Sequence, residues 1–299
     1  MYINPYCKVN DKKGQWLKGN FHTHAGTGPD TCGAYEIDEV ISLYKEAGYG
    51  VLSISNHDLL TDVGEYQQRY GMILLNAFEY STDPHMLCIH VNHMKKEAHQ
   101  EAILNCKQQG GFAVLCHPNW QRKEYWPWKD IDMLFGYCGI EIYNGLISRL
   151  SGSGLATDTW DYLLSQGKLV WGFGNDDFHR WYDLANAWTT LYCEGDAHED
   201  VIQSINEGSF YASSGLILRE FCFEDNTISI SAAAKDAYVK DYCYIFIRKD
   251  GEVLSRQQGE SGQYHLKGHE LYVRMQVISE HGAMLWTQPI YREELFRKP

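Results

Sequence analysis

The chain has 299 residues, 44% hydrophobic and 22% charged, with a formal net charge of -13. This length holds one large domain plus a smaller one, and the composition excludes disordered and collagen-like chains. The acidic balance, with no local basic patch, argues against a nucleic-acid partner.

No apolar run approaches the roughly 18 residues needed to span a bilayer, so no membrane partner is expected. Met1 to Lys18 lacks the basic start and apolar middle of a signal peptide, and the chain reads as cytoplasmic. The nine cysteines are odd in number and scattered, without a Cys-x-x-Cys pair. They read as reduced, mostly buried thiols rather than a disulfide framework or a thiolate zinc knuckle.

In chain order, Trp16 to Phe21 predicts a short strand ending at His22-Thr23-His24. Alternate side chains of an extended segment share a face, so the two imidazoles present nitrogen donors to one point. A Gly- and Pro-containing loop, Ala25 to Gly33, leads to a helix over Ile37 to Ala47 that stops at Gly48. Val51 to Ser55 is a strand delivering Asn56, His57 and Asp58. Strand, helix, strand is the unit of a parallel sheet or barrel.

Met72 to Phe78 is the next strand, with Glu79 at its end. Too few residues separate Glu79 from His85 for a crossover helix, so Met86 to Val91 is expected to return antiparallel. His85 then shares an end with Glu79, whereas His90 lies about 16 Å along at roughly 3.3 Å per residue and reads as structural. A helix from Lys96 to Gln109 precedes the buried strand Phe112 to Cys116, which delivers His117 and is stopped by Pro118. Gly139 to Tyr143 ends in Asn144. A helix from about Leu155 to Gln166 leads to the strand Leu169 to Gly174, which ends in Asn175-Asp176-Asp177-Phe178-His179. Polar groups thus fall repeatedly at C-terminal strand ends, where barrel active sites lie.

Ala187 to Tyr192 and a helix from His198 to Glu207 complete a first domain, residues 1–215. Beyond it the pattern changes to short alternating strands, Thr227 to Ser231, Tyr242 to Arg248 and Leu271 to Ile278, with turns at Asp250-Gly251 and His281-Gly282. Residues 216–299 are expected to form a small all-β, sandwich-like domain.

The ordered set Phe21-His22-Thr23-His24, Ser55-Asn56-His57-Asp58, Phe78-Glu79-Tyr80-Ser81, Cys116-His117-Pro118 and Asp176-Asp177-Phe178-His179 resembles the PHP (polymerase and histidinol phosphatase) superfamily across most of residues 16–215. The resemblance implies a distorted seven-stranded (β/α)7 barrel holding two or three divalent ions. The stretches Gly208 to Gly215 and Leu285 to Tyr291 resemble a branch with an added C-terminal β-domain, which includes carbaryl-hydrolase-like proteins.

As metal ligands, His22, His24, His57, His85, His117 and His179 supply nitrogen, and Asp30, Glu79 and Asp177 supply oxygen. Such a mixture without sulfur suits Zn, Mn or Fe. Glu79 is the expected bridging carboxylate. Asp30 stands where the family often has an acid, but its Pro-Asp-Thr-Cys context departs from the usual Ser-Asp-Gly, and a turn-forming aspartate is the other reading. Asp176 is the alternative to Asp177. Asp58 is expected to orient a ligand histidine.

Glu141 and Asn144 are candidates to face the substrate, a strand-end hydrogen bond being the more common fate of such residues, and Arg180, Arg149 and Arg122 are candidates to grip an anion, a solvated arginine being the default reading of each. Trp120, Tyr125, Trp126 and Trp128 either wall the pocket or pack beneath it. The leading expectation is a phosphoesterase acting on a small phosphorylated metabolite through a hydroxide bridging the ions. His179, or His57 with Asp58, would protonate the leaving oxygen. The alternatives are a carboxyl ester, carbamate or amide hydrolase and a non-catalytic metal-stabilised binding module.

Overall fold

The computed structural model describes residues 1–11, 13–95, 97–234, 239 and 241–296. Its elements are β1 (Tyr2–Ile3), β2 (Gln15–Asn20), α1 (Ile37–Glu46), β3 (Val51–Ile54), α2 (Gly64–Tyr70), β4 (Ile73–Tyr80), β5 (Met86–Ile89), α3 (His99–Gln108) and β6 (Phe112–Leu115). There follow α4 (Trp128–Met133), β7 (Gly139–Asn144), α5 (Thr157–Ser165), β8 (Trp171–Asn175), β9 (Trp188–Cys193), α6 (His198–Glu207) and β10 (Phe210–Ser213). The remainder is all β: β11 (Leu216–Glu224), β12 (Thr227–Ala234), β13 (Tyr242–Ile247), β14 (Val253–Gly259), β15 (Ser261–His265), β16 (Tyr272–Ser279), β17 (Met284–Thr287) and β18 (Ile290–Arg292).

The strands that carry the site run side by side in the order β2, β3, β4, β5, β6, β7, β8. β2, β3 and β4 are parallel, β5 is antiparallel to both neighbours, and β6, β7 and β8 are parallel again. Past β8, Phe178 bridges back to Thr23, and His24 N donates to Phe178 O, bringing the two ends of the path together.

Period-two alternation explains which face each side chain takes. Ile73, Leu75, Leu87, Ile89, Phe112, Val114 and Phe173 share one core inside the curled sheet. Leu52, Ile54 and Leu74 point the other way, under Val40, Ile41 and Tyr44 of α1. Continuing the odd-numbered column of β4 puts Glu79 on the inner face above Ala77, where the apolar column gives way to polar side chains. The same alternation turns Ile140 and Ile142 outward and Glu141 inward.

The expected helices and strands of this part are present, with ends shifted by a few residues. Lys96, the expected start of the third helix, lies outside the described residues, and that helix begins at His99. Two helices have no counterpart in the sequence reading. No residue of α2 is buried and only Ile131 of α4 is, so neither carries an apolar period.

The C-terminal part, expected as a small all-β, sandwich-like domain, is built of the strands β11 to β18. β11, β12 and β15 do form a separate sheet, but β17 pairs with β10 and with β16, so the large sheet continues from the site-bearing strands into the C-terminal ones. β1 pairs with β18, and the buried Tyr6 hydroxyl donates to Phe210 O and accepts from Gln288 N. Arg274 of β16 reaches α5, where its guanidinium makes a two-pronged pair with Asp161.

Glu270 is a second tie. Its buried carboxylate accepts from Tyr264, from the backbone of Lys267 and His269, and from Tyr2. Burial alone would raise this carboxyl, but those hydrogen bonds outweigh it and hold it below the ordinary value near 4.5. Its stabilising contribution is therefore present above that value and lost as the pH falls through the depressed one. Urea unfolding at neutral pH and at pH below 4.5 should show a smaller acid loss for Glu270→Gln than for the wild type.

Candidate metal centre

Six imidazoles and two carboxylates converge at the C-terminal ends of β2, β3, β4, β6 and β8 and the start of β5. Each oxygen of the wholly buried Glu79 faces a different group of rings. Oε1 lies 2.9 Å from His85 Nδ1 and 3.4 Å from both His22 Nε2 and His117 Nε2. Oε2 lies 2.7 Å from His57 Nδ1 and 3.5 Å from His24 Nε2. Asp177 Oδ1 is 3.3 Å from Nε2 of both His22 and His24, and 3.5 Å from His179 Nδ1.

These distances separate into two kinds. The 2.9 Å contact of His85 Nδ1 with Glu79 Oε1 is a hydrogen bond, and the 2.7 Å approach of His57 Nδ1 to Glu79 Oε2 is an ion-pair contact without hydrogen-bond alignment. Those of 3.3 to 3.5 Å are long for hydrogen bonds but match a tetrahedral ligand edge, about 3.3 Å for bonds of about 2.05 Å. Three of the atoms concerned are also orphans: His22 Nε2, His24 Nε2 and Glu79 Oε2 are buried without a well-aligned hydrogen-bond partner, although His57 Nδ1 stands close to the last. Buried polar atoms are seldom left so. A divalent cation is the partner that this donor set and spacing fit.

The surroundings turn the right atoms inward. His22 Nδ1 is 2.8 Å from Glu141 Oε1, which leaves Nε2 as the donor atom. His117 Nδ1 faces the Tyr125 hydroxyl at 2.9 Å, and His179 Nδ1 faces the Asp177 carbonyl at 3.0 Å. His57 Nδ1 lies 2.7 Å from Ser81 Oγ, while Asp58 accepts from Ser81 N, so Asp58 steadies His57 through that serine. Asp58, His117 and Asp177 have φ of 47°, 33° and 55°. Left-handed backbone at three non-glycine residues beside one cluster is strain of the sort found at functional sites.

The charges explain the titration directions. Burial disfavours a charged His22 ring, but Asp177, Glu141 and Glu79 outweigh it and hold its pKa well above the ordinary value. Burial would likewise raise Glu79 and Asp177, and the imidazoles instead hold both carboxyls low. The group is thus an anionic nest that calls for positive charge.

Several expected residues take other places. Asp30 is exposed and belongs to none of the donor groups. Asp176 is buried against Tyr44 and the backbone of Ala185 and Ala187, and burial lifts it to about 6, so Asp177 is the aspartate of the cluster. Glu141 and Asn144 do not face the opening. Glu141 accepts from His22, Asn175, His117 N and Asn144, and Asn144 also donates to Asp177, so both lie wholly buried beneath the donors. Inward-facing position 141 between two outward isoleucines was the signal for this.

Arg149 spends Nε and Nη2 on buried Asp183, which also accepts from the backbone of His179 and Arg180. It therefore holds the His179 loop. Arg180 is exposed and makes no ion pair among the described residues. Arg122 pairs with Asp83, which lies 3.1 Å from His85 Nε2. Of the aromatic group, Tyr125 accepts from His85 N, Trp126 donates to His85 O, and Trp120 meets the rings of His85 and His117 edge-on. Trp128 instead stacks on Tyr162. His90 packs against His198, away from the cluster.

The sequence reading missed Cys32 and Cys116. Cys116 shares a donor group with His22, Glu79 and His117, but burial holds its thiol well above the ordinary range. Cys32 shares one with His24, His57 and His179. Burial would raise it, and hydrogen bonds from those three rings outweigh that and lower it to about 4.

Fold and site together define a mixed α/β protein with one large sheet, a separate small C-terminal sheet and a donor cluster fit for divalent ions. No protein-family model matches the sequence, and no curated protein matches it. Among solved structures, a two-domain protein from Bacteroides vulgatus containing a predicted PHP-like metal-dependent phosphoesterase shares the fold. It is 14% identical, with a TM-score of 0.55 over 88% of this chain and 91% of that one. The lesion-specific endonuclease EndoQ from Pyrococcus furiosus matches at 13% identity and a TM-score of 0.46, over 64% of this chain and 56% of that one. The PHP resemblance read from the sequence and the PHP-like fold of the first neighbour agree. Among the described residues no helix is long and apolar enough to cross a membrane.

Proposed function

We propose that this protein is a metal-dependent phosphoesterase that hydrolyses a small phosphorylated metabolite in the cytoplasm. We read the seven-strand path as a distorted PHP-type barrel, with residues 1–215 carrying the site and 216–299 the β-domain. The observation that carries the reading is the convergence of His22, His24, His57, Glu79, His85, His117, Asp177 and His179 around orphaned, inward-turned donor atoms. Two or three zinc, manganese or iron ions held there would polarise a phosphoryl oxygen and activate water.

The chain's own groups divide the remaining work. Arg180, exposed and next in the chain to His179, is our choice to take an anionic oxygen. His57 and His179 lie at the accessible side of the cluster and are the choices for returning a proton to the leaving oxygen. Ser81 with Asp58, and Asp183 with Arg149, fix the positions of those two imidazoles. The net charge of -13 favours a small substrate over a nucleic acid.

Stripping the protein with a chelator should abolish hydrolysis of p-nitrophenyl phosphate, and added zinc or manganese should restore it. An undiminished rate in the stripped protein would overturn the proposal. Faster turnover of p-nitrophenyl acetate than of the phosphate would transfer the assignment to a carboxyl ester hydrolase using the same donors.

A further inference from the structure

We propose that Cys32 is a thiolate ligand at the outer end of the metal centre, acting with His57 and His179 and with His24 on its flank. This rests on the metal-centre reading above and adds a donor of a different chemical kind. Cys32 Sγ lies 3.4 Å from His24 Nδ1. One donor atom each from His24, Cys32, His57 and His179 fall within 4.8 Å of one another. A tetrahedral zinc ion, with bonds of about 2.3 Å to sulfur and about 2.05 Å to nitrogen, sets those two atoms about 3.6 Å apart.

The loop is built to hold the sulfur there. Thr31 Oγ1 donates to Gly26 O at 2.7 Å, and Gly26 N donates to Tyr35 O at 2.7 Å. Ala34 N donates to His179 O at 3.1 Å, so one hydrogen bond ties the end of the Cys32 loop to another member of the group. A Cβ at Gly33 would come within 2.7 Å of Ala25 Cα, so the glycine lets the loop close against the residue that follows His24. The wholly buried His24 ring joins the two ends of the centre: its Nδ1 faces Cys32 Sγ, whereas its Nε2, which has no hydrogen-bond partner, faces Glu79 Oε2 and Asp177 Oδ1.

The chemical consequence is an asymmetric centre. Its buried end offers the carboxylates of Glu79 and Asp177, whereas its solvent end offers exposed Cys32 among imidazoles. Soft thiolate among imidazoles selects zinc, iron(II) or cobalt(II) over magnesium and manganese. Asp30, the acid expected from this loop, is left exposed two residues earlier.

The test uses the full chain, stripped and titrated with cobalt(II), alongside Cys32→Ser, Cys32→Asp and Asp30→Asn. Wild type and Asp30→Asn should show an intense near-ultraviolet thiolate-to-cobalt band, which both Cys32 variants lose while the ligand-field bands of the inner donors persist. In zinc and manganese competition followed by metal analysis, Cys32→Ser should lose zinc affinity at the outer position by about tenfold or more, and Cys32→Asp should shift its preference toward manganese. Zinc should protect Cys32 from iodoacetamide, with exposed Cys7 as the internal control. Cobalt binding without a thiolate band, or equal zinc affinity in a folded Cys32→Ser variant, would overturn the role of Cys32 and leave the metal centre standing. Failure of the wild type to bind any of these ions would overturn both.

Discussion

Glu79→Gln should leave a folded protein that binds fewer divalent ions and turns over phosphate esters at least about a thousandfold more slowly in kcat/KM. The amide retains the shape of the carboxylate but has one acceptor oxygen in place of two and no charge. Because Oε1 faces His22, His85 and His117 while Oε2 faces His24 and His57, this single change removes the donor oxygen from one side of the cluster and the shared negative charge from both. Metal analysis of the purified variant, circular dichroism and p-nitrophenyl phosphate kinetics check it together. Full metal content with full activity would show that Glu79 does not bridge. The expectation is specific to this residue because the other carboxylates near the rings have narrower duties: Asp177 meets His22 and His24 through the single oxygen Oδ1, and Glu141 lies beneath the donors.

The second large effect concerns stability. Asp161→Ala should cost about 3–5 kcal/mol, because it leaves the Arg274 guanidinium buried without its counter-charge. Arg274 donates to Asp161 through Nε at 2.7 Å and Nη2 at 2.5 Å, and Tyr272 donates to the same carboxylate at 2.9 Å. The guanidinium also lies over the Trp160 ring at 5.2 Å. Since Asp161 is on α5 and Arg274 on β16, the pair fastens the C-terminal strands to the site-bearing part. For a chain of this length the loss corresponds to roughly 5–8 °C in melting temperature. Replacing both partners, Asp161→Leu with Arg274→Met, should recover most of it, since an apolar pair pays no desolvation. Thermal melts of the single and double variants measure both. A single variant melting within a degree of wild type would refute the argument.

Much of the site was legible because it follows strand periodicity. The His22 and His24 spacing, the strand ends that deliver His57 and His117, and the short connection that returns β5 antiparallel are all local patterns. The last of these is what separates His85 from His90. What could not be read is non-local or depends on unusual backbone. Left-handed φ at Asp58, His117 and Asp177 re-aims side chains in a way that no propensity announces. Asp30 and Cys32 are two residues apart in a loop, and only the closure of that loop over Ala25 decides which one reaches the rings. For Glu141 the sequence leaves two fates open, facing substrate or hydrogen bonding at a strand end, and its place in the inward-facing alternation puts it among the hydrogen bonds beneath the donors. The junction of β10 with β17 joins residues some seventy positions apart, and neither strand carries a mark of its partner.

The pairing of β1 with β18 bears on how the molecule comes into being. Tyr2 and Ile3 lie against Arg292 and Tyr291, and Tyr6 against Gln288, so this seam joins residues more than 280 positions apart. Closing so long a loop costs more chain entropy than any local pairing, and the seam gains from forming after the strands between its two sides have ordered.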